Sequence, residues 1–446
     1  MKLLPSLALL LVACAHPAAP PDHPGSRDPL APDIDKLATA AIDTQATAGV
    51  SVAVVRADQV VFAKGYGFAD LAGKRPADPS TVYRIGSLTK QFTAAAIVQL
   101  AEAGKLDLDA DVRTLVDVPT GGQPVTIRQL LHHTSGMPDY TELPSFVTEM
   151  PRPHTPAQIV ALVKDVPWKF APGSKFEYSN TGYVVLGMVI EKVSAEPYAA
   201  YLATHVFSAA HLTSTSYCDE SRPDAHRATG YEQRAGLVPA HPIDLSIAFS
   251  AGALCSTVLD LARWDTALRT GRVVSPAGYA QMTTPTLGDY GFGLFKDERS
   301  GHVRVHHNGG INGFVAELDD YPADHVVLVV LANTESPVPQ SIELAVARLA
   351  LHVPSSAVPI APAELAAYAG TYVIPGLGEA VFTVVGDHLA ITVTGQPTFP
   401  MEHRGHDGFA VELVGATLTF GREAGVVTKV TLVQGGATVE APRKAP

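Results

Sequence analysis

The sequence predicts an α/β (α+β) chain of two domains, a mixed helix-and-strand body followed by a small antiparallel β-barrel or sandwich. Three observations predict it. Apolar strands at 49–69 return as a meander at 302–333, with apolar-rich and amphipathic helices between them. A Pro/Ser-rich run at 353–362 then interrupts the pattern. Beyond it come only short β-rich segments with Gly or polar breaks, at 379–385, 389–394, 408–413, 417–420 and 426–434. The chain has 446 residues, 46% hydrophobic and 17% charged, which describes a globular protein too long for one compact core. Its net charge of −12, with no Lys/Arg-rich run, argues against nucleic acid as a partner.

The N-terminus reads as a targeting segment, with Met1-Lys2 positive and 3–12 a short apolar run. Leu11-Val12-Ala13-Cys14 resembles a bacterial lipobox, which implies removal of 1–13 and lipidation of Cys14. Ala15 is not the aspartate of inner-membrane retention, so the implied place is the periplasmic face of the outer membrane in a Gram-negative cell. Residues 14–33 then form a Pro/Ala-rich tether. In that oxidising space Cys218 and Cys255 are expected to form a disulfide; two buried thiols are the alternative. The body has no apolar run of about 18 residues that would span a membrane.

In order, Ile34, Leu37, Ala38, Ala41 and Ile42 mark an amphipathic helix over 34–47. Segments 49–57 and 59–69 form a hairpin turning at Ala57-Asp58, apolar on both sides as in a covered sheet. The stretch 83–106 follows, a loop entering a long helix that Gly104 ends. Ser87 and Lys90 share a face of its first turn, where backbone N–H groups lack intrahelical partners. A hydroxyl, an amine and a free backbone donor at one point suit acyl transfer, although a capping serine beside a solvated lysine reads equally well.

A charged connector at 106–118 leads to a short helix at 127–131 and the polar stop His132-His133-Thr134-Ser135-Gly136. Neither His132-His133 nor His306-His307 has the spacing that puts two ligands on one face, so no metal is expected. A helix at 155–166 precedes Tyr178-Ser179-Asn180, which leads into the apolar helix 183–193. Tyr178 and Asn180 project the same way from extended backbone and can serve proton transfer and amide binding; an Asn cap beside a half-buried tyrosine is the alternative. A helix is expected over 254–268, strands over 290–294 and 302–307, and a last helix over 342–352. His307-Asn308-Gly309-Gly310 closes the second strand, where glycines admit close approach.

Ser87-Leu88-Thr89-Lys90, Tyr178-Ser179-Asn180 and His307-Asn308-Gly309, in this order, resemble the serine β-lactamase/DD-peptidase superfamily, in its class C-like branch of β-lactamase-related hydrolases. Leu130 to Gly136 resembles its LxxHTSG loop and Tyr290 to Leu294 the strand before its third motif. The likeness spans about 34–353, and 364–446 resembles the lipocalin-like barrel of the same branch, after a linker at 354–363. It implies a β-lactamase/transpeptidase-like fold: a five-stranded antiparallel sheet flanked by helices, an all-helical subdomain, and the Ser87 helix between them.

The resemblance also implies roles. Ser87 becomes the nucleophile, Lys90 or Tyr178 its base, and the backbone N–H groups of Ser87 and Gly310 the oxyanion hole. Asn180, His307, Asn308 and Gly309 become substrate-binding positions, and no cofactor is implied. One departure matters: His307 stands where penicillin-recognising members carry lysine, and Asn308 replaces a hydroxyl residue. The expected activity is therefore hydrolysis of an ester or amide, D-Ala-containing peptides and D-amino-acid amides included. A true β-lactamase or DD-carboxypeptidase is the rival enzyme, and a non-catalytic binding protein of the same fold the rival of another class. The expected partners are a small-molecule or peptide substrate and a membrane reached through the lipid anchor.

Overall fold

The structure is a computed structural model that describes residues 28–119, 121–219, 224–354, 357–375, 378–394, 398–411, 416–434 and 437–444. The lipidation expected at Cys14 lies outside them, with the signal segment and most of the tether. After helix α1 (Ala31–Asp43) come strands β1 (Gly49–Arg56), β2 (Gln59–Asp70) and the short β3 (Arg75–Pro76). The chain returns to the same sheet with β4 (Phe295–Arg299), β5 (His302–Ile311), β6 (Phe314–Tyr321) and β7 (Val326–Ala332). The order is β3-β2-β1-β7-β6-β5-β4, antiparallel throughout. Five strands form its middle as implied, and β3 and β4 extend it to a 7-stranded sheet.

Period-2 alternation divides β1 between two cores. Val50, Val52 and Val54 pack with Ile34, Leu328, Val330, Ile342 and Val346, under α1 and the helix Val338–Ala350. Ala53 and Val55 pack on the other face with Leu261, Trp264 and Leu268 of the helix Val258–Arg269. Both faces are thus dry, which is why the strand reads as an unbroken apolar run. Each such side chain contributes roughly 1.5–3 kcal/mol.

Helix α2 (Thr89–Glu102) is buried without interruption from Thr89 to Val98. Phe92 stacks on Trp264 at 3.9 Å between centroids, and Trp264 Nε1 donates to Gln91 Oε1 at 2.8 Å. Ser87 itself sits one step earlier, in a 3-10 turn over Gly86–Leu88. Helix α3 (Asn180–Ser194) packs against α2 and is capped by Ser179, whose side chain accepts from Gly182 N. The cap is therefore not Asn180, whose amide is left free for other work.

Several expected elements end elsewhere, among them the first helix, which stops at Asp43, and the last, which starts at Val338. Tyr290 to Leu294 is not a strand: a Cβ at Gly293, φ +71°, would lie 2.6 Å from Lys90 O, so this segment packs onto α2 and pairing starts at Phe295. Leu254–Ser256 is a strand between Tyr83–Arg84 and Ser216–Tyr217, and the helix begins after the Thr257 cap. The helix over 155–166 stops at Ala161 and continues as i→i+3 turns through Val166. A disulfide joins Cys218 to Cys255, with Cα atoms 5.3 Å apart.

The C-terminal region is an 8-stranded antiparallel barrel from Gly370–Ile374 to Ala437–Pro442. The Tyr372–Arg443 bridge brings its first and last strands together, nearly closing it. Tyr372, Phe382, Phe409 and Phe420 meet in its interior, edge to face at centroid distances of 4.9–5.7 Å. Arg348 of the body pairs with Glu402 of the barrel at 2.6 Å.

Candidate active site

The N-terminal turn of α2, the start of α3 and the end of β5 converge on Ser87. Ser87 is half-buried and Lys90, one turn on, is fully enclosed. Lys90 Nζ lies 3.0 Å from Ser87 Oγ, 2.8 Å from Asn180 Oδ1 and 2.8 Å from the Ala251 carbonyl. Burial pushes its pKa down to about 7, against the upward pull of the Asp139 carboxylate. Tyr178 lies beside it, with the ammonium 4.7 Å from the ring centroid. The Tyr178 hydroxyl is buried and has no hydrogen-bond partner among the described residues. Burial raises its pKa well above the ordinary phenol value, opposed by the nearby Ser87 hydroxyl.

Asp139 orders this cluster, and sequence reading did not single it out. One carboxylate oxygen accepts from Asn180 N at 2.8 Å and Asn180 Nδ2 at 2.9 Å. The other accepts from Thr141 N and Thr141 Oγ1. With its N–H₂ end held by Asp139, the Asn180 amide must turn its oxygen to Lys90. His133 was also missed as a site residue. Its Nδ1 accepts from Ser179 N, and its ring lies 4.2 Å from Tyr178, 4.9 Å from Tyr183 and 4.6 Å from Tyr290. His132 Nδ1 donates to Tyr290 O, so the two adjacent histidines hold different parts of the site. The only local hint of these contacts was the polar stop itself.

His307 is enclosed. Its Nδ1–H donates to the Asn308 carbonyl and its Nε2 lies 3.0 Å from Tyr290 Oη, which donates to the neutral ring. Burial, aided by the Lys90 charge, pushes its pKa down to about 3. It is therefore a neutral group at physiological pH. Asn308 is exposed and lies outside the cleft lining. Gly309 is packed so closely that a Cβ would lie 2.0 Å from Ile85 O and 3.1 Å from Ser87 N. Gly310 borders open space instead. Ser87, Asn180 and Gly310 line a cleft of about 250 Å³ whose walls include Tyr140, Phe146 and Ile247. None of its lining residues is Arg or Lys.

Residues 34–352 match the family model described as Beta-lactamase, and 354–441 match a domain of unknown function, DUF3471. A putative penicillin-binding protein, PbpX, of Bacillus subtilis (strain 168) is 31% identical over 54% of this chain and 60% of its own length. The protein flp of Staphylococcus aureus (strain MRSA252) is 31% identical over 66% and 61%. The chain thus spans about three fifths of the length of these curated relatives. Among solved structures, a penicillin-binding protein homologue from Pyrococcus abyssi superposes with a TM-score of 0.70 at 26% identity, covering 92% of this chain and 99% of that one. The D-amino acid amidase from Ochrobactrum anthropi SV3, complexed with D-phenylalanine, superposes at 0.65 and 26%, covering 73% and 98%. The chain belongs to the Beta-lactamase family.

Proposed function

We propose that the protein hydrolyses esters or amides that carry no carboxylate, through an acyl-enzyme at Ser87. The three contacts of Lys90 carry this reading. Asn180 Oδ1 and the Ala251 carbonyl can only accept, so they commit two Lys90 N–H groups and leave the third direction toward Ser87 Oγ. With a pKa of about 7 the amine is partly neutral at neutral pH, and its lone pair then faces the serine hydroxyl. Tyr178, held protonated by burial, is the proton donor rather than the base.

Ser87 Oγ attacks the carbonyl carbon while its proton passes to Lys90. The Ser87 and Gly310 N–H groups receive the oxyanion, each contributing roughly 3 kcal/mol to the transition state. Collapse breaks the bond to the leaving nitrogen or oxygen, which takes the Tyr178 proton as Lys90 returns one to Tyr178. Water then attacks the acyl-enzyme, gives its proton to Lys90, and Ser87 departs with that proton. Neutral His307 and a cleft lining without Arg or Lys supply no fixed cation for a substrate carboxylate. That favours substrates without a carboxylate, such as D-amino-acid amides, the substrate class named for the Ochrobactrum relative, over penicillins. The reading includes an exported lipoprotein anchored at Cys14, supported by its lipobox; palmitate labelling lost in Cys14→Ser tests it.

Intact mass after incubation with a fluorophosphonate, and separately with benzylpenicillin, tests the chemistry. A fluorophosphonate adduct on the wild type and none on Ser87→Ala is expected, with little penicillin loss. Absence of the adduct would overturn the acyl-enzyme. Rapid penicillin hydrolysis would overturn the preference for substrates without a carboxylate.

A further inference from the structure

The function proposed above gives no part to His133, yet this residue grips the Tyr178 segment at three successive positions. Its carbonyl accepts from Glu177 N at 2.9 Å, and its Nδ1 accepts from Ser179 N at 3.1 Å. Between these two anchors the imidazole lies against the Tyr178 ring, with 4.2 Å between centroids and a tilt of 35°. The His133 backbone is left-handed, with φ +55°. Few L side chains adopt that conformation readily, and Asn is one of them. One buried residue thus meets the chain before, at and after the proton donor.

Burial, aided by the Lys90 charge, holds the His133 pKa well below the ordinary imidazole value, so the ring is neutral. A neutral imidazole whose Nδ1 accepts carries its proton on Nε2. That Nε2–H is buried and has no acceptor among the described residues, which is costly. A phenyl ring would fill the same box of Tyr178, Tyr183 and Tyr290 without this cost. What imidazole adds over phenyl is the acceptor for the buried Ser179 amide. What it adds over a plain acceptor is a flat face against Tyr178. The Tyr178 hydroxyl has no hydrogen-bond partner among the described residues, so the packing of its ring sets where its proton sits.

We propose that His133 is a positioning residue that aims the Tyr178 hydroxyl at the leaving group, and so sets which leaving groups the enzyme can expel. The proposal rests on the acyl-enzyme reading above, with Tyr178 as its proton donor. When the tetrahedral intermediate of an ester collapses, the bond from the acyl carbon to the leaving oxygen breaks. That oxygen takes the Tyr178 proton, and the Lys90 ammonium returns one to Tyr178. A p-nitrophenolate leaves as a stable anion and needs no proton at that moment, whereas a methoxide does. Loosening Tyr178 therefore penalises poor leaving groups selectively. A residue that only supported the fold would penalise all of them alike.

The test measures kcat/KM for the p-nitrophenyl, phenyl and methyl esters of butyric acid on the full chain. All three form one butyryl-enzyme, so their differences report acylation alone. His133→Asn keeps an acceptor where Nδ1 stands, suits the left-handed backbone and removes the ring. It should lower the methyl-to-p-nitrophenyl ratio about tenfold or more, with phenyl between, while fluorophosphonate still labels Ser87. Tyr178→Phe should lower the ratio further. His133→Phe keeps the ring but leaves the Ser179 amide unpaired next to Asn180, and should slow all three esters together. His133→Gln, also an acceptor without a ring, replaces the Asn variant if that one fails to fold. A ratio unchanged in His133→Asn but lowered in Tyr178→Phe would overturn the positioning role alone. A ratio unchanged in both would overturn the proton-donor reading and this proposal with it. Absence of fluorophosphonate label on wild-type Ser87 would overturn the acyl-enzyme itself.

Discussion

Around Ser87 the body buries Lys90, His133, Asp139 and His307 in one cluster, whereas the described residues of the barrel bury no Asp, Glu, Lys, Arg or His at all. Its interior is tyrosine, phenylalanine and aliphatic side chains. Burying an ionisable group costs several kcal/mol unless it is paired or neutralised. The body meets that cost with Asn180 and Ala251 around Lys90, Thr141 and Asn180 around Asp139, and Tyr290 beside His307. The barrel carries no such cost and gains no such chemistry.

Replacing Lys90 should break this contrast most severely. Lys90→Met should cost about 10²–10⁴-fold in kcat/KM, measured with a short ester, because it removes the base from beside Ser87. In the wild type the same rate should rise with pH as Lys90 loses its proton near pH 7 and level off above it, since only the neutral amine accepts the serine proton.

Phe420→Ala attacks the other region. It should cost the barrel about 3–5 kcal/mol, seen as an earlier transition in calorimetry, while fluorophosphonate labelling of Ser87 persists. Loss of labelling in step with the barrel would merge the two regions into one cooperative unit.

Asp139→Asn should reduce kcat about 10- to 100-fold, the range for a lost charge-assisted bond to the Asn180 amide. It should also move the acidic limb of the pH profile downward, because the carboxylate raises the Lys90 pKa. A fall in rate with the limb unmoved would assign Asp139 a purely structural part. The smallest effect belongs to Arg348→Ala at the domain junction, where an ion pair with partly exposed partners should contribute less than about 1 kcal/mol in thermal denaturation.

Ser87, Lys90, Tyr178 and Asn180 were legible because each motif is local: one helical turn, or two residues of extended chain. Asp139 and His133 were not, because their roles are tertiary. His133 meets the Ser179 amide across a sequence separation of 46, and Asp139 meets Asn180 across 41. No local spacing encodes either contact. The charge state of His307 was not legible for the same reason: enclosure under Tyr290 beside Lys90, made by distant segments, keeps it neutral. The sheet's two cores could be read from β1, whose alternation needs no partner to be recognised, whereas the short edge strands β3 and β4 carry too few residues for a pattern.

Gly309 has a consequence for how this site can diverge. Its missing side chain leaves room for Ile85 O and Ser87 N, so every other amino acid would push the strand off the serine. Asn308, one residue away, is exposed and lends only its backbone carbonyl to His307. In a saturation library selected for turnover, codon 309 should return glycine alone while codon 308 returns a broad spectrum. Mutational drift at this end of the strand is therefore channelled to position 308, where substitutions leave the nucleophile undisturbed.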